Sequence, residues 1–202
     1  MEHNSHLRYS GLATVRRSYM TEFIVECPKC RSAAFVTCDN PYSYCNGKLA
    51  CANCSHVEHA ESLIRYRVLI KKYCNNCGST IDYTAPELKE RINKINIKCP
   101  ACSALQELQP RNEQYQIQYK STSKVNDPIF SLPLWLQTEV KGNLLWAYNR
   151  RHLQDIKEYV ESKLRERQTT RYTTMVERLP TFIKVAKNRS AILKVVERLI
   201  NK

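Results

Sequence analysis

With 202 residues and a formal net charge of +13, the chain is long enough for two small domains and strongly basic. Only four glycines occur, no glycine-rich phosphate loop is present, and no stretch reaches the ~18 apolar residues of a membrane span. A basic total fits nucleic acid, anionic lipid or an acidic protein and does not choose among them.

Residues 1–20 mix charge, serine and tyrosine without periodicity and read as an N-terminal arm, either loose or laid over the cysteine-rich region that follows. They lack the apolar core of a secretory signal, so the reduced cytoplasm is the expected compartment. Thr21 to Glu26 reads as a strand, with Phe23 and Val25 on one face, that delivers the chain to Cys27.

From there four Cys-x-x-Cys pairs follow: Cys27/Cys30, Cys51/Cys54, Cys74/Cys77 and Cys99/Cys102, separated by 20, 19 and 21 residues. A two-residue spacer lets both sulfurs of one tight turn reach a single ion. Zinc accepts four thiolates as a tetrahedron, so eight regularly placed cysteines predict two structural zinc ions. The competing reading, a disulfide framework, suits an oxidising compartment and not the cytoplasm. Two pairings would each give two four-thiolate sites. Sequential sharing, first pair with second and third with fourth, is favoured over cross-bracing because each half carries its own strand and turn signals.

In the first ribbon, residues 21–60, Ala33 to Thr37 and Lys48 to Cys51 read as strands, with turns at Asp39-Asn40-Pro41 and Asn46-Gly47. Cys38 and Cys45 lie outside every pair and read as small apolar fillers; His56 and His59 read as polar surface, since the knuckles already supply four ligands.

The second ribbon, residues 61–119, opens with the basic run Leu63 to Tyr73, a strand with Tyr66, Val68 and Ile70 on one face and Arg65, Arg67 and Lys71 on the other. Pro86 to Asn93 is expected as a short helix, Ile95 to Lys98 as a strand, and Glu113 to Tyr119 as another strand. A linker over 120–126 closes this half.

Residues 127–202 differ in character. Leu134 to Val140 and Leu144 to Tyr148 flank Lys141-Gly142-Asn143 and predict a β-hairpin bearing Trp135 and Trp146. Asn149 is expected to cap a helix of about five turns fading near Gln168, with Leu153, Ile156, Val160 and Leu164 buried and Asp155, Glu158, Glu161, Lys163, Arg165 and Glu166 largely solvated. Two shorter helices follow, one with Phe182, Ile183 and Ala186 inward, the other starting at Ser190 with Ile192, Val195, Val196 and Leu199 inward. The expected class is therefore a small α+β protein: tandem four-cysteine zinc ribbons, then a β-hairpin plus α-helical C-terminal domain.

The stretches Leu-Pro-Leu-Trp-Leu-Gln (132 to 137), Leu-Trp-Ala-Tyr-Asn (145 to 149) and Arg178-Leu179-Pro180 through Lys187-Asn188-Arg189 resemble a module in small bacterial zinc-ribbon proteins of uncertain function. The resemblance covers about the last 75 residues and implies a shared fold for them.

For function, closed four-thiolate sites leave no open coordination position, and His152 falls one residue from a buried stripe, so no catalytic centre and no small-molecule substrate are expected. Of the net +13, residues 129–202 hold +8 and residues 169–202 alone +6, while the two ribbons are nearly neutral. Docking on an acidic protein partner is the favoured reading, as an adaptor or a cognate inhibitor such as the immunity protein of a bacterial toxin. The contacts would come from Trp135, Trp146, Arg178, Lys184, Lys187, Arg189 and Lys194. The alternative is nucleic acid, with Tyr42, Tyr44, Tyr66 and Tyr73 as stacking groups beside Arg65, Arg67, Lys71 and Lys72. No membrane role is expected.

Overall fold

The structure, a computed structural model, describes residues 8–42, 46–120, 124–165 and 167–202. Cys45, Tyr44 and Glu166, named above, lie outside the described residues. The chain forms two compact units, Met1–Ala60 with Tyr119–Lys202, and Glu61–Gln118. The class is mixed α and β, with small antiparallel sheets and, among the described residues, α-helices confined to the last third.

In the first unit, β1 (Glu22–Glu26), β2 (Ala33–Thr37), β3 (Lys48–Ala50) and β4 (Val57–His59) form an antiparallel sheet in chain order, with Phe23 opposite Val36 and Val36 opposite Leu49. An ordinary edge strand alternates buried and exposed side chains, but β1 buries Phe23, Ile24 and Val25 in succession. The cause is long-range pairing at its outer edge. Ile24 donates its N–H to Tyr148 O at 2.8 Å, Glu26 to Pro133 O at 2.8 Å, and Trp135 donates to Ile24 O at 2.8 Å. The sequence reading places residues 21–60 and 127–202 in separate domains, whereas the structure groups them in one unit, because a free strand edge is satisfied there by the Leu132 to Gln137 stretch.

A buried carboxylate holds that stretch in place. Asp127 accepts the backbone N–H groups of Ile129, Phe130 and Leu132 at 2.8, 2.8 and 2.7 Å, closing a loop that turns Ile129, Phe130, Leu132, Leu134 and Leu136 into the core. Next come β10 (Gln137–Val140) and β11 (Asn143–Trp146), paired with Val140 opposite Asn143. The turn is thus two residues rather than the expected three. Lys141 and Gly142 take φ of 49° and 72°, which matches the right-handed twist of the hairpin, and Asn143 already belongs to the strand.

The first helix, α1 (Arg150–Glu161), starts at the cap Asn149, whose Oδ1 accepts the His152 N–H at 2.9 Å, and it buries His152, Leu153, Ile156, Tyr159 and Val160. It is shorter than the five turns expected. Ser162 leaves the helix with extended backbone angles, and Arg165 folds back to donate to Val160 O at 3.0 Å and Ser162 O at 3.3 Å, satisfying carbonyls at the helix end. Leu164 consequently is 44% exposed instead of buried, and pairs in parallel with Arg8.

The N-terminal residues 8–20 lie on α1 and the segment after it, and their end also touches the first cysteine region, where Arg17 stands over the Tyr42 ring and Met20 O faces Cys38 Sγ. Tyr9 N–H bonds Leu164 O at 2.9 Å, Met175 N–H bonds Thr14 O at 2.7 Å, and Tyr19, 1% exposed, donates its hydroxyl to Asp155. Beyond α1 come the single turn α2 (Thr181–Lys184), with Ile183 buried but Ala186 after it exposed, and α3 (Arg189–Ile200), with Ile192, Val195, Val196 and Leu199 buried as expected.

In the second unit, β5 (Ile64–Tyr73) lies between β6 (Thr80–Leu88) and β9 (Arg111–Gln116), while β7 (Ile95–Lys98) and β8 (Leu105–Leu108) form a hairpin. The helix expected over Pro86 to Asn93 is absent. Val68 faces Ala85 and Tyr66 faces Leu88, so one residue of β5 opposes two of β6, a bulge that accommodates Pro86, which lacks an N–H, and Glu87 at φ 60°. Two apolar residues four apart are too weak a signal against that ladder. The unit buries one small cluster, Ile70, Cys74, Ile81, Cys99 and Leu108, and Val68 of β5 is buried as well.

Candidate metal centres and the cationic surface

Each unit carries one four-cysteine cluster. Cys27, Cys30, Cys51 and Cys54 form the first and Cys74, Cys77, Cys99 and Cys102 the second, with all sulfurs of a set within 4.8 Å of one another. This is the sequential pairing; the cross-braced alternative is not formed.

Local backbone geometry explains how four unrelated dipeptide spacers reach the same end. The first cysteine of each pair donates its N–H to the carbonyl five residues on: Cys27 to Ser32, Cys51 to His56, Cys74 to Ser79 and Cys99 to Ala104, at 2.8 to 2.9 Å. The residue four on turns the chain with positive φ: Arg31 at 61°, Ser55 at 54°, Gly78 at 74° and Ser103 at 60°. Gly78 alone of these four is a glycine, the residue for which that conformation carries no Cβ penalty.

The sulfur spacing fits a metal and not a disulfide. At a Zn–S length of about 2.3 Å a tetrahedron sets neighbouring sulfurs about 3.8 Å apart, against about 2.05 Å for a sulfur–sulfur bond. Cys27 and Cys54 are 3.7 Å apart, Cys30 and Cys51 3.6 Å, Cys74 and Cys102 3.7 Å, and Cys77 and Cys99 3.6 Å. Two clusters of this composition and spacing could each hold one zinc ion.

The surroundings divide the thiols of each cluster. Despite the His56 N–H beside Cys54 and the Cys102 N–H beside Cys99, burial and the neighbouring cysteine sulfurs push these two up to about 12 and about 11, while others are held low. The Ser32 backbone N–H beside Cys30 holds its thiol down to about 5, and the Cys77 N–H does the same for Cys74, at about 6. Gln106 adds a clamp that no cysteine spacing reveals: its Nε2 lies 2.6 Å from Cys74 Sγ while its Oε1 accepts the Asn75 N–H at 3.2 Å. Asn76 Nδ2 donates to Cys102 Sγ at 3.5 Å.

Neither cluster recruits Cys38, His56 or His59. Cys38 is buried with its sulfur 3.2 Å from Met20 O, which makes it a packed filler, and His56 Nε2 sits 3.7 Å from Glu58.

No protein-family model, curated protein or solved structure matches the chain. The site must be read from its own chemistry.

The seven residues proposed from sequence as partner contacts fall into distinct settings. Lys184 donates to Glu177 O, and Arg189 donates to Ser162 O at 3.2 Å, so both head groups serve backbone carbonyls. Trp135 is half-buried beneath Lys202, whose Nζ stands 3.8 Å from the ring centroid. Trp146 is also half-buried and packs against Tyr148 and His152 at centroid distances of 5.0 and 5.8 Å. Arg178, Lys187 and Lys194 are exposed, and their side chains make no hydrogen bond or ion pair with the described residues.

The aromatic residues proposed for base stacking also differ in setting. Tyr42 lies under Arg17 at 4.1 Å and Tyr66 under Arg91 at 5.3 Å, while Tyr73 is 74% exposed. Among the described residues no helix is long and apolar enough to cross a membrane.

Proposed function

We propose that this is a non-enzymatic zinc-binding recognition protein, in which two structural ions stiffen two zinc ribbons and a cationic face docks an acidic protein partner. The observation that carries the reading is closure. Each cluster assembles four thiols at tetrahedral spacing with no carboxylate or imidazole among its ligand atoms, so a bound ion keeps no position for substrate. With the metals confined to structure, recognition falls to exposed groups. Arg178, Lys187 and Lys194 are unspent cations on neighbouring elements of the basic C-terminal segment, which suits fast association with an acidic surface. An adaptor or a cognate inhibitor, such as the immunity protein of a bacterial toxin, meets this description.

The test is a pull-down with the zinc-loaded chain at moderate salt, repeated with Arg178, Lys187 and Lys194 all changed to Glu. One stoichiometric acidic partner, lost in the charge-reversed variant, is expected; its retention by the variant removes the proposed face. A second reading, nucleic acid, draws on Tyr73 exposed beside exposed Lys71 and Lys72. It requires oligonucleotide affinity that falls with salt at a log–log slope of about −0.9 per phosphate contact on duplex DNA.

A further inference from the structure

The first unit contains a cavity of about 330 Å³. Its wall is apolar, formed by Leu144 and Trp146 of β11, by Met175 and Leu179 around a short turn, and by Ile183 of α2. Five separate segments contribute, since Arg16 and His152 also line it, and its size falls at the lower end of small-ligand sites, about 300–1,000 Å³. A space walled on several sides suits a small molecule better than the broad face used for a protein partner.

Its charge is one-sided. Arg16 and Arg178 line the cavity and, among the described residues, no acidic side chain does. Both arginines are exposed and neither side chain bonds to another described residue. The acid adjacent to Arg178 in sequence, Glu177, is engaged elsewhere: it accepts from Thr174 N at 2.7 Å and Thr174 Oγ1 at 3.0 Å and faces Arg167 at 3.5 Å. Asp155 is taken by Tyr19.

His152 adds a neutral donor. Its Nδ1 accepts the Tyr148 N–H at 3.2 Å, so in the uncharged ring the proton resides on Nε2. Burial, aided by the Arg16 charge, keeps the ring uncharged down to about pH 4.

We propose that this cavity binds a small organic acid, its aliphatic or aromatic body against Leu144, Trp146, Met175, Leu179 and Ile183 and its carboxylate paired with Arg16 and Arg178. Guanidinium is the side chain suited to bidentate carboxylate pairing, and a single anionic head on an apolar body matches two cations at an otherwise apolar wall. The site goes beyond macromolecular docking and stands whether or not that reading holds.

The test uses the full zinc-loaded chain and three probes of equal length, octanoate, octylammonium and octanol, with 2-naphthoate as the aromatic acid. Binding is followed by the NMR shift of the Trp146 indole N–H, with Trp135 as the internal control. The two acids are expected to shift Trp146 with dissociation constants on the order of 0.1–1 mM, and the amine and alcohol to bind at least tenfold more weakly. Arg16→Gln and Arg178→Gln should each weaken octanoate about tenfold. Because both side chains are exposed and make no bond to other described residues, these variants keep the fold, and an unchanged thermal midpoint confirms it.

Equal binding of acid, amine and alcohol would overturn the proposal, as would octanoate binding indifferent to both substitutions or a Trp146 signal unmoved by either acid. Tighter binding of the tripeptide acetyl-Ala-Ala-Leu with a free C-terminus than of octanoate, lost on amidation, would transfer the site to a partner's chain end and remove the small-acid assignment.

Discussion

The two units contain the same metal-binding arrangement in unequal settings. In the first, the cysteine sheet shares its β1 edge with residues 133–135 and 148 and belongs to a core that includes Phe23, Ile24, Phe130, Leu136 and Ile156. In the second, the buried cluster is Ile70, Cys74, Ile81, Cys99 and Leu108, with Val68 of β5 also buried, and two of the five clustered residues are themselves ligand cysteines. The difference separates what a metal does for a fold that already has a core from what it does for one that lacks it.

Metal removal should expose that contrast most strongly. A structural zinc site contributes on the order of 10 kcal/mol, comparable to everything so small a core supplies before chain entropy is subtracted, so chelation or Cys99→Ser should unfold the second unit outright. In the first unit the helices and the hairpin should survive with local loss around Cys27 to Cys54. Both tryptophans lie in the first unit, so their fluorescence should persist while the backbone NMR signals of residues 61–118 collapse. Simultaneous loss of both signals would erase the proposed difference.

The contrast also explains how much could be read in advance. Thiolate ligation is local and chemically restrictive, so all eight ligands and most strands leading into them were legible from spacing: Ala33 to Thr37 and Ile95 to Lys98 fall where the pattern places them. What failed depended on distant residues. Nothing near β1 announces that Pro133 and Tyr148, more than a hundred residues away, will occupy its edge. The end of α1 is set by Arg165 and Arg189 reaching its last carbonyls, while the apolar repeat through Leu164 would carry the helix further. The cavity was hidden for the same reason. Arg16 belongs to no motif, Arg178 lies at the other end of the chain, and only the fold brings them to one space.

Asn149 tests whether the first unit depends on that long-range weave. Its Oδ1 caps α1, and its Nδ2 donates to Tyr19 O at 3.0 Å and Glu22 O at 2.9 Å, so one side chain ties the helix to the N-terminal segment and β1. Asn149→Ala should cost roughly 4 kcal/mol, about 1 for the cap and the rest for two carbonyls left without a donor. Asn149→Ser, which restores the cap acceptor alone, should fall between alanine and the parent in urea unfolding. If serine equals the parent, the two carbonyl bonds carry no weight.

A smaller effect should distinguish the units by pH. His152 is 3% exposed, and burial, with the Arg16 charge, lowers its pKa from 6.5 to about 4. The unfolded chain therefore takes up a proton below pH 6.5 that the native chain refuses until about pH 4, so stability is complete above this window and declines as pH falls through it. The full loss is about 3 kcal/mol. Acid also weakens thiolate–zinc bonds, so the informative quantity is the difference between parent and His152→Gln, followed by tryptophan fluorescence from pH 7 to 5. The variant should show the shallower slope; parallel slopes would mean that the ring titrates normally.

The smallest effect isolates the knuckles themselves. Arg31, Ser55 and Ser103 hold left-handed backbone angles where Gly78 serves in the remaining knuckle, and an added Cβ at Gly78 would meet nothing within 4 Å. Gly78→Ala therefore introduces no clash, and its cost should be conformational only, about 1 kcal/mol. The reverse change, Ser103→Gly, should stabilise the same unit by less than that, because the freer glycine also stabilises the unfolded chain. Since Gly78 and Ser103 sit in the weak-cored unit, their effects should appear as faster and slower loss of metal to a chelator. Arg31→Gly, in the unit with the larger core, should leave chelation less changed. A Gly78→Ala protein that releases metal at the parental rate would show that the cysteine turns tolerate this strain without cost, and that the ligand bonds alone set the geometry.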